Sequence, residues 1–176
     1  GVIDYDRRHG YRGPEAFVNL PTEQAEREQA LDRLFQETAD SDNLSPALVL
    51  EASPTEVRAI MASGDTIAIA ADGLRFVARN LTDKAPATQR IRTGAVIRLT
   101  MDDKNRWFIA QLPLAESALV AMAPTDGAIL ALVGGFDHER NKFNHVTQAQ
   151  RQPGSSFKPF IYSAALEKGF TSATVI

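Results

Sequence analysis

The chain has 176 residues, which is enough for one ordinary domain or two small ones. It is 44% hydrophobic and 23% charged, a composition typical of globular proteins that excludes collagen-like, disordered and coiled-coil classes. The absence of cysteine excludes a disulfide framework and a thiol nucleophile, and the net charge of -3 lacks the basic footprint of a general nucleic-acid binder.

The first twelve residues are predicted to be a linker. The stretch Tyr5–Pro14 is polar, basic and aromatic, and its apolar residues follow neither the strand period nor the helix period. The chain begins with Gly1 rather than Met, and its longest apolar run, Ala128–Phe136, is too short to span a bilayer. We therefore expect a piece of a longer protein that contacts a membrane only through parts outside this sequence.

An amphipathic helix is predicted over about 22–39. Its apolar residues Leu31, Leu34 and Phe35 have helical spacing, and Thr22 is the expected N-cap. We expect this helix to pack one face against a neighbouring sheet.

Short β-prone runs separated by turn residues fill the next seventy or so positions. Strands this short predict a small antiparallel barrel similar to an oligonucleotide/oligosaccharide-binding (OB) fold, because closure removes exposed edges. The region has few aromatic residues, which favours a scaffold or protein-contact role. The predicted strands are Ala47–Glu51, Val57–Ala62, Thr66–Ala70, a stretch near Phe76–Val77, Val96–Met101 and Trp107–Leu112.

The pattern changes near Leu112, which we take as a domain boundary. The predicted organisation is a linker over 1–12, an OB-like domain with its inserted helix over 13–112, and the beginning of an α/β domain over 113–176. The fold class is therefore α+β.

The second domain is predicted to open with a hairpin. Two apolar runs, Ala118–Ala123 and Ala128–Val133, flank a Pro-Thr-Asp-Gly turn. Because the runs are apolar throughout rather than alternating, we expect both faces of these strands to be covered. A helix is expected to follow Pro153–Gly154 and to end at Gly169, a typical C′ glycine.

One pattern in this helix has a chemical mechanism attached. Ser155 and Lys158 are three residues apart, so a helix places the lysine amine within reach of the serine hydroxyl. A serine becomes a nucleophile when a base removes its proton, and a lysine of lowered pKa can be that base. The alternative is that Ser155 is an ordinary helix cap and Lys158 a solvated lysine, and these four positions alone do not exclude it. The histidines His9, His138 and His145 are scattered, and we predict neither a metal site nor a cofactor.

A resemblance that covers essentially the whole chain adds to this interpretation. It lies in four stretches, Tyr5–Glu15, Ala131–Gly135, Phe143–Ala149 and Arg151–Phe160. In this order they resemble the class A high-molecular-weight penicillin-binding proteins, especially the 1a subgroup.

The resemblance implies a piece of a bifunctional peptidoglycan synthase, with a membrane anchor, a glycosyltransferase domain, a linker, an OB-like domain and a D,D-transpeptidase domain. It implies that Ser155 is the nucleophile acylated by D-Ala-D-Ala stem peptides and by β-lactams, and that Lys158 is the proton acceptor. It also implies a location on the periplasmic side of the bacterial inner membrane.

Two motifs of this class, Ser-x-Asn and Lys-Thr-Gly, do not occur in the sequence from Ser155 onward. We therefore expect the chain to be inactive alone and to need the rest of the transpeptidase domain, in cis or as a second chain. Two alternatives remain open from the residues. One is a β-lactamase or D,D-carboxypeptidase with the same Ser-x-x-Lys motif, and the other is a non-enzymatic OB-like interaction module.

Overall fold

The structure, a computed structural model, describes residues 1–175, and most of them build around one curled antiparallel sheet. Its strands are β1 (Ala16–Phe17), β2 (Ser45–Ala52), β3 (Glu56–Met61), β4 (Thr66–Ala70), β5 (Ala95–Met101) and β6 (Trp107–Ala110). The hydrogen-bonded order is β1-β5-β2-β3-β4. Strand β5 pairs with β2 along one edge, and with β1 and then β6 along its other edge. Contacts between β4 and β6 bring the two ends together, so the sheet forms the barrel that the strand pattern predicted.

Five of the six predicted runs are strands, and the exception is the stretch near Phe76–Val77. It lies in a 3₁₀ segment over Ala71–Leu81, which joins β4 to the rest of the barrel. The prediction of a strand there is wrong because Leu74, Val77 and Leu81 face the core at helical spacing. The two-residue strand β1 is too short to leave a sequence pattern.

The interior of the barrel is apolar and closed to water. Side chains from all the longer strands and from the 3₁₀ segment form a single cluster. Its members include Ala47, Val49, Val57, Ala59, Ile69, Leu74, Val77, Ile97, Leu99 and Ile109.

Helix α2 (Gln24–Glu37) covers the outside of the sheet. Leu34 packs against Leu48 and Val96, which point away from the barrel interior, so β2 is buried on both faces. The predicted helix and its packing are confirmed. The predicted N-cap is wrong, because the helix begins one residue later than Thr22 requires, with Glu23 as N-cap and no side-chain cap bond.

The predicted linker contains a short helix, α1 (Val2–Arg7), which has no amphipathic pattern. Asp6 on this helix is only 5% exposed. Contacts with distant residues, rather than intrinsic propensity, account for a helix of this length.

After the barrel the chain forms a hairpin of β7 (Leu119–Met122) and β8 (Ile129–Val133), as predicted. Gly127 takes a positive φ of 74° in the turn, a conformation that glycine adopts without strain. The expectation that both faces are covered is wrong for the described residues, because no other element of 1–175 buries these strands.

Helix α3 (Lys158–Glu167) follows a 3₁₀ turn over Gly154–Phe157. It ends as predicted at Gly169, whose N–H donates to the Leu166 carbonyl while the Phe170 N–H donates to the Ala165 carbonyl. Across residues 1–175, no helix combines the length and the apolar character needed to cross a membrane.

Candidate active site

The structure places Ser155 and Lys158 on one turn at the junction of the 3₁₀ turn and α3. The Lys158 N–H donates to the Ser155 carbonyl, which is the i to i+3 bond of a 3₁₀ turn. Side chains three residues apart are eclipsed in this geometry, so the hydroxyl and the amine project from the same side of the turn. Pro159, the second residue of α3, lacks an N–H that a first turn leaves unused.

Both side chains are exposed in the structure. Within residues 1–175, no hydrogen bond joins the Ser155 hydroxyl to the Lys158 amine, and neither residue lines one of the principal clefts. The turn therefore sets the spacing of the pair without enclosing it.

The backbone at Ser155 presents a donor. Its N–H stands at the start of the 3₁₀ turn and has no backbone acceptor in the described chain. The next N–H, of Ser156, donates to the Pro153 carbonyl at 3.1 Å. Free N–H groups at the start of a helical segment attract negative charge, which suits the oxyanion that forms when a serine attacks a carbonyl.

The polar loop that leads to this turn is folded around Asn144. The Asn144 side-chain oxygen accepts from the Val146 N–H at 2.9 Å, and the Asn144 backbone N–H donates to the Gln148 side-chain oxygen at 2.6 Å. Gly134 at the end of β8 has no space for a side chain, since a Cβ there would lie 2.6 Å from the Asn144 oxygen. The loop is therefore packed directly onto the end of the hairpin.

His145 fastens the same loop to β8. Its backbone N–H and its ring Nδ1 both contact the Gly134 carbonyl, at 2.8 and 2.9 Å. Because a carbonyl only accepts, the ring nitrogen carries a proton here. Glu116 accepts from the Phe136 N–H at 2.7 Å on the other side of the glycine pair. These contacts hold the hairpin and the loop before Ser155 as one unit.

A hydrogen-bonded seam around Asp6 joins the N-terminal helix α1 to the entry and exit of the barrel. The Asp6 carboxylate accepts from Arg12 and Gln111, both at 2.8 Å, and from the Leu114 N–H at 3.0 Å. Burial alone would raise the pKa of Asp6, but these donors together hold it below its ordinary value. Arg12 also donates to the Leu112 carbonyl at 2.6 Å, so the entry and exit of the barrel are tied together.

A second seam contact joins Ser41, which is 2% exposed, to Asp137. The serine hydroxyl donates to the carboxylate, and this bond is the first cause that lowers the pKa of Asp137. Sequence reasoning missed both seam contacts because all their partners except Arg12 lie about a hundred positions apart. No group of three or more His, Asp or Glu side chains suited to a metal ion occurs in residues 1–175.

Two protein families match the chain, and the boundary between the matches falls between its two sheets. Residues 11–115 match the penicillin-binding protein OB-like domain, and residues 117–176 match the penicillin-binding protein transpeptidase domain. We refer to them as the OB-like region and the transpeptidase segment. Ser155 and Lys158 lie in the transpeptidase segment.

Curated relatives carry one name. The chain is 39% identical to penicillin-binding protein 1A of Escherichia coli (strain K12) over 99% of its length, and 40% identical to penicillin-binding protein 1A of Pseudomonas aeruginosa over 100%. It spans only 21% and 22% of the length of these relatives.

A solved structure supports the same assignment. The crystal structure of penicillin-binding protein 1A from Haemophilus influenzae matches 99% of this chain at 36% identity with a TM-score of 0.78, and the chain covers 25% of that protein. The chain therefore belongs to the penicillin-binding proteins of the 1A type, with their OB-like domain and the start of their transpeptidase domain.

Proposed function

We propose that this chain carries the nucleophile of a D,D-transpeptidase, with Ser155 as the acylated residue and Lys158 as its base. Lys158, in its neutral form, takes the hydroxyl proton while the Ser155 oxygen bonds to the carbonyl carbon between the two D-alanines of a stem peptide. The C–N bond breaks, and the terminal D-alanine leaves as an amine that receives a proton. An amine of a second stem peptide then attacks the ester, forms the cross-link and frees Ser155.

The observation that supports this proposal is the turn itself. Ser155 and Lys158 are eclipsed across an i to i+3 bond, and the Ser155 N–H is free to face the developing oxyanion. A hydroxyl, an amine and a backbone donor on one turn are three of the groups that serine acyl transfer needs. The open surroundings of the pair agree with a site completed by other residues.

We further propose that the chain alone does not turn over. No Ser-x-Asn or Lys-Thr-Gly motif follows Ser155, so this chain lacks the groups those motifs supply in the class. The triplet Ser41-Asp42-Asn43 lies in the OB-like region, where Ser41 is buried and bonded to Asp137. The remainder of the transpeptidase domain, in cis or as a second chain, would supply them. A β-lactam, whose strained amide mimics the substrate, would acylate the same serine.

For the whole protein we propose a bifunctional peptidoglycan synthase anchored in the inner membrane, with this part on the periplasmic side. For this chain we propose a linker over 1–12, an OB-like domain over 13–112 and the transpeptidase beginning over 113–176. The last strand of the barrel ends at Ala110 and the hairpin begins at Leu119, which supports a boundary between them.

Fluorescent-penicillin labelling followed by mass spectrometry of the labelled peptide tests the proposal. The chain is labelled alone and mixed with a polypeptide that carries the remainder of the transpeptidase domain. We expect a label on Ser155 in the mixture, no label in Ser155→Ala, and normal labelling in the matched variant Ser156→Ala.

A label on another serine, or none in a mixture shown to be folded, would refute the assignment of the nucleophile. Release of free D-alanine without cross-linked product, in the presence of an acceptor amine, would indicate a D,D-carboxypeptidase. Peptide-bond exchange by the isolated chain would refute its proposed inactivity.

A further inference from the structure

A cleft on the barrel, in a different part of the chain from Ser155, has the properties of a separate ligand site. It has a volume of about 810 Å³, which lies in the range of pockets that hold small molecules. One wall is formed by Tyr11, where the chain enters the barrel. The other walls come from the connection between β4 and β5, residues 71–94.

The walls of this cleft are fixed by the protein itself. The buried Asn80 side chain donates to the Gln89 carbonyl at 3.0 Å, and the Ile91 N–H donates to the Asn80 carbonyl at 2.8 Å. Opposite them, a Cβ at Gly13 would lie 2.9 Å from the Gln89 Cα. These contacts hold the part of the connection that follows the 3₁₀ segment in a defined shape.

The charges along the cleft have a single sign. Arg79 and Lys84 are its only ionised lining side chains, both are exposed, and neither forms an ion pair with any residue of the described chain. At the rim, the Arg7 guanidinium lies over the Phe76 ring at 5.1 Å. A preformed cleft lined by cations and no carboxylate attracts anions.

The Tyr11 ring belongs to the same wall, but its hydroxyl is not exposed to the cleft. Its ring meets Phe76 edge to face at 5.6 Å, and its hydroxyl is shielded from water with no hydrogen-bond partner in residues 1–175. Burial raises the pKa of Tyr11, with a smaller effect of Glu15 in the same direction, so the phenol stays protonated as a donor. A buried hydroxyl without an acceptor is rare in folded proteins.

We propose that this cleft binds a small ligand bearing oxyanions, which Arg79 and Lys84 pair with, at a site separate from the acylation of Ser155. Arginine offers two parallel donors that suit a carboxylate or a phosphate, and lysine adds a point charge. Carboxylates and phosphates share this chemistry, and the experiment below distinguishes them. The Asn80 side chain is already bonded to Gln89, so it takes no part in recognition.

Isothermal titration calorimetry of the 176-residue chain with two probes, triglutamate and tripolyphosphate, tests this proposal. We expect saturable binding of at least one probe and none of trialanine. The double variant Arg79→Gln/Lys84→Gln should weaken that binding by about tenfold or more, since charge-assisted hydrogen bonds are lost. The double variant Arg27→Gln/Arg33→Gln, which removes the same charge from exposed positions of α2, should leave it unchanged.

Binding of triglutamate identifies carboxylates as the recognised groups, and binding of tripolyphosphate alone identifies phosphates. Tyr11→Phe, which removes a hydroxyl that is shielded from the cleft, is a second control and should leave the affinity unchanged. The proposal is overturned if neither probe saturates, or if the double variant binds as the unaltered chain does. Penicillin labelling at Ser155 should be unaffected in every variant, so failure here is distinguishable from failure of the proposed acylation.

Discussion

In the OB-like region Leu48 of β2 packs under α2 at 0% exposure, whereas Leu130, the second residue of β8, is 70% exposed. The contrast extends to whole elements. Four consecutive residues of β2 are buried, while every residue of β8 is exposed. The two regions have similar apolar strands and differ in what lies against them.

This difference shows that the apolar sequence of a strand predicts that the strand is buried, but it does not identify the element that packs against it. The OB-like region supplies its own partners, a closed sheet inside and α2 outside. Within the described residues, the transpeptidase segment has its own loop around Asn144 and the hydrogen bond from Ser41 to Asp137 across to the OB-like region. Its stability should therefore depend on that hydrogen bond and on the rest of its own domain.

The largest effect on stability is expected from shortening a buried side chain of the OB-like region. Leu48→Ala should lower the free energy of unfolding of the OB-like region by about 3 kcal/mol, because a fully buried leucine leaves a cavity. Leu130→Ala in the same chain should change it by less than about 0.5 kcal/mol, since that side chain is in water. Urea denaturation followed by circular dichroism measures both.

The same two variants can be compared in a longer protein that includes the whole transpeptidase domain. There Leu130→Ala should become destabilising by about 2 kcal/mol or more, as expected for a leucine that has gained cover. An unchanged effect of Leu130→Ala would contradict the view that the rest of the domain covers β8.

The next effect is expected at the seam. Asp6→Asn removes the charge that accepts from Arg12, Gln111 and the Leu114 N–H, and should weaken the attachment of α1 to the barrel exit by about 2 kcal/mol. Hydrogen exchange should show faster exchange in α1 and at Leu114 with unchanged protection in β7 and β8, because the Asp6 partners lie outside the transpeptidase segment. Faster exchange in β7 and β8 as well would mean that the two regions unfold as one unit.

The same carboxylate predicts an acid dependence. The folded-state pKa of Asp6 is lower than its ordinary value of 3.8, so its contribution is fully present above that value. It is lost as the pH falls through the lower folded-state pKa. The attachment of α1 to the barrel exit should therefore be constant between about pH 5 and 8 and weaken below about pH 4, and Asp6→Asn should remove most of this dependence.

A smaller effect is expected at the second contact. Ser41→Ala deletes the hydroxyl that donates to Asp137 and should weaken the docking of the transpeptidase segment by about 1 kcal/mol. It should also raise the pKa of Asp137, because that bond is the first cause of its lowering. Carboxyl chemical shifts across a pH titration measure this, with Asp126 on the hairpin turn as an internal control.

The sequence predicts most of the fold because its local patterns have local causes. Helix spacing in Leu31, Leu34 and Phe35 places α2 on the sheet, and turn residues separate the strands of the barrel. The same rule, read over too short a window, gives the wrong element near Phe76–Val77, where the core-facing residues are spaced as in a helix.

The seam and the buried charges could not be predicted in this way. Asp6 meets Leu114 across 108 positions, and Arg98, only 4% exposed, pairs with Glu15 across 83. Such pairs leave no periodic pattern, since their spacing is set by how the barrel closes. Ser155 and Lys158 are three positions apart, so one turn suffices to bring them to the same side.

Substitution of Lys158 is expected to have the smallest effect on stability and the largest effect on the acylation rate. Its side chain is exposed and forms no ion pair within residues 1–175, so Lys158→Ala should change the free energy of unfolding by less than about 0.5 kcal/mol. Loss of a general base should slow penicillin acylation of the completed domain by about 10²- to 10⁴-fold. Lys168→Ala, at the other end of α3, is the matched control and should leave the rate unchanged. Stopped-flow acylation at the rate of the unaltered protein would remove Lys158 from the proposed mechanism while leaving Ser155 as the nucleophile to be tested separately.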